Sequence, residues 1–440
     1  MNRSYMKKLF LTLCLALAGS FGASAQLRLT LAGAIDLALS ENPTVKVAEL
    51  EVQRYDYVKR QTWGNLLPQL AASGSYQRSI VKSEMRGGIS FGADNTFAVQ
   101  GDLTLPLFAP QVYRTMKLND AQMAAAVEAA RASRITLVAE VKKAFYNILL
   151  AEQSLAVLLE SRATVQRTVD DTDLQYRHGL ASEYDLLTAQ VQLSNLQPTI
   201  IQTETSIRLA RLLLKMYLSI PEEVDIEVEG QLDAMRDQVL AGTDGLTTDL
   251  TENSDLRTLD LQRELLVRQL RATNAARLPS LGAFGSVTYS GNDMEPFMGL
   301  GGDDASKFFW THPITVGVQL SVPIFAGLTK MNKSREIKNQ ISQLSLQRSY
   351  AEQQVSVQVQ SALNDLLTAR EKMFAQERTV EQARKAYAIS DTRYRAGAGT
   401  ILELNSAQLA RTQAQLNFSQ AIYDYLSARA EYDRIVGKER

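Results

Sequence analysis

Two short stretches of this chain hold the residues with the clearest chemistry. Ser182-x-x-Asp185 and Thr400-x-x-Glu403 each place a hydroxyl three residues before a carboxylate. That spacing starts a helix, because hydroxyl and acid satisfy each other's backbone N–H groups; the first is a near match and the second a full one. Each follows a glycine, Gly179 or Gly397, suited to the left-handed position that ends the helix before it. Catalytic chemistry is sparse. Two His and one Cys leave no zinc cluster, haem attachment or disulfide framework. Gly88-Ile89-Ser90-Phe91-Gly92 fits G-x-S-x-G. It lies in a glycine-rich loop between expected strands, whereas a nucleophile elbow needs a strand before it and a helix after it. The chain reads as a non-enzyme with no cofactor and no metal. His178 reads as an exposed turn residue.

The elements that position these turns repeat. Glu41-Asn42 matches Glu252-Asn253, and Leu67-Pro68-Gln69-Leu70 matches Leu278-Pro279-Ser280-Leu281, both at an offset of 211. Leu105-Pro106-Leu107-Phe108 matches Val322-Pro323-Ile324-Phe325 at 217, and Tyr176-Arg177-His178-Gly179 matches Tyr394-Arg395-Ala396-Gly397 at 218. Five such pairs in one order, the last being Ala189-Gln190 with Ala407-Gln408, indicate an internal duplication. Each half reads helix, strand, loop, strand, long helix, turn, helix.

Residues 96–106 alternate, with Phe97, Val99 and Leu103 on one side and Gln100, Asp102 and Thr104 on the other. Residues 313–323 alternate more cleanly, with Val316, Val318 and Leu320 against Thr315, Gln319 and Ser321. Period two means strand, and about 9–11 residues suffice for a tilted strand across a membrane. Residues 70–80 and 281–290 are weaker strands, and Phe308-Phe309-Trp310 stands just before the fourth strand as an interfacial girdle or the lining of an outer loop. The stretches 111–177 and 328–394 lack interior proline and glycine. A heptad seam runs Leu137, Val141, Ala144, Ile148, Ala151, Leu155, Leu158, Arg162, Val165, Val169, Thr172, Tyr176. A second begins Leu404, Ala407, Arg411, Ala414. At 1.5 Å per residue the first long helix is about 100 Å long.

Forty-seven basic and 48 acidic residues give a net charge of −1, without the positive surplus of a nucleic-acid binder. Residues 1–25 read as a signal peptide: Arg3, Lys7 and Lys8, an apolar run from Leu9 to Ala18, and Ala23-Ser24-Ala25 before the cut. A lipid anchor on Cys14 is the alternative, against which Leu13 is too large for that motif. The expected organisation is then a first repeat over 26–218, an exposed acidic linker over 219–252, a second repeat over 253–437 and a tail over 438–440. From Glu222 to Glu252 there are ten acids and one base, Arg236.

Four strands cannot close a barrel alone, and an open edge in lipid leaves backbone groups unpaired at several kcal/mol each. Two chains give eight strands, which side chains fill; three give twelve, with room for a wet lumen.

On these stretches, together with Leu29-Thr30-Leu31-Ala32-Gly33-Ala34-Ile35-Asp36-Leu37-Ala38-Leu39-Ser40-Glu41-Asn42-Pro43, the chain resembles the TolC family of outer-membrane efflux proteins over essentially all of 27–437. The resemblance implies a mainly α fold with a small β part. Its long coiled-coil-like helices form a trimeric 12-helix periplasmic tunnel, below a 12-stranded outer-membrane β-barrel with four strands per chain. It implies a homotrimer in outer-membrane lipid that docks on a periplasmic adaptor and an inner-membrane pump, passing small toxic compounds. A duct for type I protein secretion shares every one of these features. A periplasmic coiled-coil scaffold without a pore explains the heptads but not the strands.

By matching position, the resemblance places Glu403 as an aperture carboxylate, and Asp185 and Tyr394 where closing hydrogen bonds between neighbouring helices would sit. Ser406 stands where a second ring carboxylate is expected and Gly399 where a bridging Arg is, which leaves Arg395 to hold the closed state. Adaptor contact falls on Gly179, Leu180, Gly397 and Ala398.

Overall fold

The computed structural model describes residues 27–81, 83–85, 89–236, 246–293 and 308–439. The leader read over 1–25, Gly88 of the G-x-S-x-G match and residues 237–245 of the acidic stretch lie outside the described residues. The first half contains β1 (Leu27–Leu29), α1 (Leu31–Glu41), α2 (Pro43–Gly64), β2 (Gln69–Arg78), β3 (Ser83–Met85), β4 (Ile89–Phe91), β5 (Asn95–Phe108), α3 (Pro110–Arg177) and α4 (Glu183–Leu218). After β6 (Ile226–Val228) and a single 3-10 turn come α5 (Ser254–Ala275), β7 (Ser280–Asp293), β8 (Phe308–Thr311), β9 (Ile314–Ser321), α6 (Thr329–Arg395) and α7 (Ile401–Val436). The fold is mainly helical with a small β part.

Two compact units form. One gathers the chain up to Val47, Arg131–Ser254 and Gln353–Arg440; the other gathers Ala48–Ala130 and Asp255–Glu352. Each unit draws on both sequence halves, so the repeats fold together and not in series.

The first unit is helical because its seams are apolar and unbroken. Leu137, Val141, Phe145 and Ile148 of α3 pack with Leu214 and Leu218 of α4, Leu366 and Met373 of α6, and Ile422 and Tyr425 of α7. Two of the expected seam residues of α3, Arg162 and Tyr176, are exposed. Ser161 takes the inward place, accepting from Gln408 Nε2 at 3.2 Å, with Thr412 Oγ1 3.0 Å away. On α7 the buried pair is Gln408 and Thr412, while Ala407 and Arg411 are only half-buried. A 3.6-residue helix drifts off a seven-residue repeat by about 20° per heptad, so a seam drawn straight leaves the inward face on a helix this long.

The acidic stretch, expected as an exposed linker with short elements packed on the outside of the helices, is anchored by one such element. Strand β6 pairs in parallel with β1, and Ile226, Val228 and Leu232 are buried in the core of the unit. The duplication is written in hydrogen bonds. Asn42 Nδ2 donates to the Tyr217 carbonyl at 2.8 Å, and Asn253 Nδ2 to the Ile435 carbonyl at 2.7 Å. Each asparagine of a matched Glu-Asn pair thus fastens the last turn of the helix that closes its own half. At the second lock, Gly437 caps α7 with φ of +90°, and a Cβ there would meet the Glu252 carbonyl oxygen at 2.1 Å.

The second unit carries an antiparallel sheet. Strand β5 pairs with β2 and β7, and β7 pairs with both β8 and β9. The fourth strand begins earlier than its alternation indicates. Ser290↔Thr311 and Val287↔Ile314 belong to one unbroken register, so β8 and β9 are one strand interrupted at His312-Pro313. Pro313 lacks an N–H for the ladder, yet its carbonyl still accepts from Thr288 N at 3.0 Å. Phe308-Phe309-Trp310 therefore belongs to the strand and does not precede it. Strand β5 runs past Pro106 to Phe108 through an irregularity in register. Strands β3 and β4 form a separate hairpin where the glycine-rich sequence indicates a loop.

Candidate functional site

The register sorts the sheet into two faces. One carries Leu70, Ala72, Gly74 and Tyr76 of β2; Phe97, Val99, Gly101, Leu103 and Leu105 of β5; Leu281, Ala283, Gly285, Val287 and Tyr289 of β7; and Ile314, Val316, Val318 and Leu320 of β9. No charged side chain lies among them. The other face carries Gln69, Ser73, Ser75, Gln100, Asp102, Thr104, Ser286, Thr288, Thr315, Gln319 and Ser321, with Phe284 as its large apolar member. Gln100 Nε2 donates to Asp102 Oδ1 at 2.7 Å on this face.

The six barrel residues named from the sequence, Phe97, Val99, Leu103, Val316, Val318 and Leu320, all lie on the apolar face and are all exposed on the single chain. Towards one end that face passes through aromatic rings to a polar rim. Tyr76 and Phe97 lie with ring centroids 4.7 Å apart, and Tyr289 stacks on Trp310 at 5.0 Å. A Cβ on Gly291 would meet the Trp310 ring at 2.7 Å, so glycine is what lets that ring lie across the strand. Beyond them Tyr76 donates to Asn95 Oδ1 at 2.8 Å, and Asn95 Nδ2 donates to Asp293 Oδ2 at 3.1 Å. Apolar band, aromatic row and polar rim follow the gradient from hydrocarbon to headgroup. Among the described residues, β2 and β9 are edges without a further partner.

The two turns lie in the first unit. Gly179 and Gly397 have φ of +72° and +69°. Leu180 N donates to Gln175 O at 2.8 Å and Gly179 N to Tyr176 O at 2.9 Å; Ala398 N to Arg393 O and Gly397 N to Tyr394 O repeat the pattern at 2.8 and 3.0 Å. Both helices end in the same Schellman arrangement, which leaves Leu180 and Ala398 exposed at the tips.

The capping boxes come out opposite to their sequence match. Asp185 Oδ2 accepts from Ser182 N at 3.1 Å while Ser182 Oγ accepts from Asp185 N at 3.1 Å, a closed box. Thr400 Oγ1 accepts from Glu403 N at 3.2 Å, but the Glu403 carboxylate does not return the bond and lies 3.9 Å from Arg393. Arg393 draws the longer side chain away.

The Asp185 carboxylate is held by Ser182 of its own helix start. The Tyr394 hydroxyl is 2.9 Å from Thr172 Oγ1, joining α6 to α3, beside a small core of Val169, Leu186, Ala189, Ile401 and Leu404. Arg395 pairs with Asp391 on its own helix at 3.1 Å, which raises its pKa further. Ser406 lines an open groove of about 480 Å³ with Tyr184, Leu187, Val191, Leu402 and Leu409. The heptad seam marks Thr172 only as a packing position. Its signal was a run of hydroxyls, Ser161, Thr164, Thr168 and Thr172, at helical spacing on an otherwise apolar seam. Among the described residues no group of three or more His, Cys, Asp or Glu side chains could hold a metal ion, and no helix is long and apolar enough to cross a membrane.

The family model described as "Outer membrane efflux protein" matches residues 34–218 and 246–438, and the chain belongs to this family of outer-membrane channel proteins. Its place is the outer membrane, with the helical part in the periplasm. It is 24% identical over 400 residues to the alkaline protease secretion protein AprF of Pseudomonas aeruginosa, covering 90% of this chain and 81% of that one. It is 22% identical over 375 residues to the outer membrane protein TolC of Escherichia coli, covering 82% and 72%. Among solved structures it is similar to the outer-membrane channel OprN, with TM-score 0.73 and 17% identity over 92% of this chain and 89% of that one. The Campylobacter jejuni CmeC outer membrane channel gives TM-score 0.74 and 17% identity over 92% and 85%. The fold is shared with these channels.

Proposed function

We propose that the protein is the outer-membrane exit duct of a tripartite efflux system, passing small toxic compounds from an inner-membrane pump, through a periplasmic adaptor, to the outside. The observation that carries this reading is the sheet: four strands of membrane length, one face apolar up to a rim that holds Arg78, Asn95 and Asp293, the other rich in hydroxyls and amides. Such a sheet is stable in lipid only when closed, since each edge group left unpaired there costs several kcal/mol. Three copies close it at twelve strands around a polar lumen, and their helices form the tunnel. A coiled-coil scaffold without a pore has no use for the apolar face. The rim of aromatic rings sets the depth of the barrel in the membrane.

In this reading the two turns are the periplasmic tip. Glu403 belongs to the aperture, where three copies set a negative ring that favours cations. Asp185 serves first as a helix cap, and Tyr394 holds the tip through Thr172. Gly179, Leu180, Gly397 and Ala398 present the surface met by the adaptor.

A second reading, a duct for exported polypeptides, is favoured by the likeness to a protease secretion protein. A clean deletion separates the two. Lower inhibitory concentrations for dyes, detergents and antibiotics support small-molecule efflux. Unchanged concentrations with loss of a secreted protein from the medium support the second reading.

A further inference from the structure

Two side chains on the polar face of the sheet depart from its hydroxyls, amides and small residues. Among the paired residues of β2, β5, β7 and β9 on that face, Asp102 is the one charged side chain and Phe284 the one large apolar ring. The register sets them in adjacent rows. One row reads Ala71, Asp102, Ser286, Thr315; the next reads Gln69, Thr104, Phe284, Gly317. Asp102 and Phe284 are therefore diagonal neighbours on paired strands, about 7–8 Å apart.

Each is left with capacity to spare. The Asp102 carboxylate accepts from Gln100 Nε2 at 2.7 Å, and no cation pairs with it among the described residues. The paired rows of this face hold no Lys, Arg or His, so the negative charge has no counter-ion there. A lone anion on a wall backed by apolar side chains draws cations to itself. Phe284 lies across Gly317, where a Cβ would meet the ring at 2.7 Å, and its side chain is still 38% exposed. Beside it is an open hollow of about 400 Å³ lined by Thr104, Pro106, Gly282, Phe284, Gln319 and Ser321. Gly282 stands between Pro106 and Gln319 in the register and has no side chain to fill the space. A hollow of that size takes a small organic molecule. The exposed ring offers it apolar contact and a negative π-face, and the carboxylate offers it charge.

We propose that this hollow binds organic cations that carry an aromatic ring, with the ring packed on Phe284 and the charge held toward Asp102. The proposal rests on the duct reading, in which this face lines the lumen, and it names the class of cargo the lumen favours: ring-bearing cations over neutral compounds and anions.

The test is isothermal titration of the full chain, extracted in non-ionic detergent, with benzyltrimethylammonium at low ionic strength. Saturable binding at one site per chain is expected. Tetramethylammonium, which keeps the charge without the ring, and benzyl alcohol, which keeps the ring without the charge, should each bind at least about fivefold more weakly. Asp102→Asn keeps the shape of the side chain and should raise the dissociation constant about tenfold. Phe284→Leu keeps apolar bulk without the π-face and should raise it about threefold. A three-chain particle that does not bind benzyltrimethylammonium saturably overturns the proposal and leaves the duct reading standing. Unchanged affinity in Asp102→Asn or in Phe284→Leu, or equal affinity for either comparison compound, overturns it as well. A one-chain particle, read by light scattering on the same sample, overturns the duct reading and this proposal with it.

Discussion

Single atoms decide several positions in this chain. Gly437 carries both a left-handed backbone and a contact that admits no Cβ, since the Glu252 carbonyl oxygen would stand 2.1 Å away. Gly397 has a similar φ with nothing near it. Gly397→Ala should cost only the left-handed penalty, about 1–2 kcal/mol. Gly437→Ala should cost clearly more, because backbone must move as well; thermal unfolding of the two variants side by side checks the order. Asp185 and Glu403 separate in the same way. Asp185→Ala opens a closed box and should lower stability by about 1 kcal/mol. Glu403→Ala removes no cap bond, so its stability should be nearly unchanged while the cation preference of the channel falls. A Glu403→Ala channel with an unaltered reversal potential would leave that carboxylate without a role at the aperture. The sequence could not order these pairs. By residue type Thr400-x-x-Glu403 is the better box, and Arg393, 3.9 Å from the Glu403 carboxylate, reverses that order.

At the scale of elements, the helices communicate through polar contacts set in apolar seams. Thr172 and Tyr394 join α3 to α6 and form one such contact. Thr172→Val and Tyr394→Phe should each weaken the tip, and a double-mutant cycle should return a coupling of about 0.5–1.5 kcal/mol. Additive effects would mean the two hydroxyls act independently. Glu431 of α7 accepts from Lys143 of α3 at 2.5 Å and from Arg434. Burial alone would raise its pKa, but the bonds from Arg434 and Lys143 outweigh that and lower it below 4.5. A lowered carboxylate contributes stability that is present above its ordinary pKa and is lost as pH falls through the folded value. The thermal unfolding midpoint should therefore fall less on acidification below pH 4.5 in Glu431→Gln than in the parent. Helix extents and the alternating strands were legible because period and the lack of breakers are local properties. The joined β8 and β9 were not, because His312-Pro313 interrupts the ladder while the register continues through the partner strand. The burial of Ile226, Val228 and Leu232 was hidden by the acids around them, which face outwards from the same short elements.

For the whole molecule, the two faces of the sheet make opposite demands. Val318→Arg places a charge in the middle of the apolar face, at about 2–4 kcal/mol in the bilayer midplane. Gln319→Arg, one residue on, points to the polar face. The first should abolish recovery from the outer membrane and the second should leave it intact. The duplication and the four strands of the sheet were legible in the sequence. The number of chains that close the sheet follows from physical argument and from no single residue, so it is the claim most in need of measurement. That measurement is the light-scattering mass of the protein extracted in detergent from the outer membrane. Three chains per particle are predicted. A folded particle of one chain would contradict the account, because its four strands would have to persist in the membrane with both edges open.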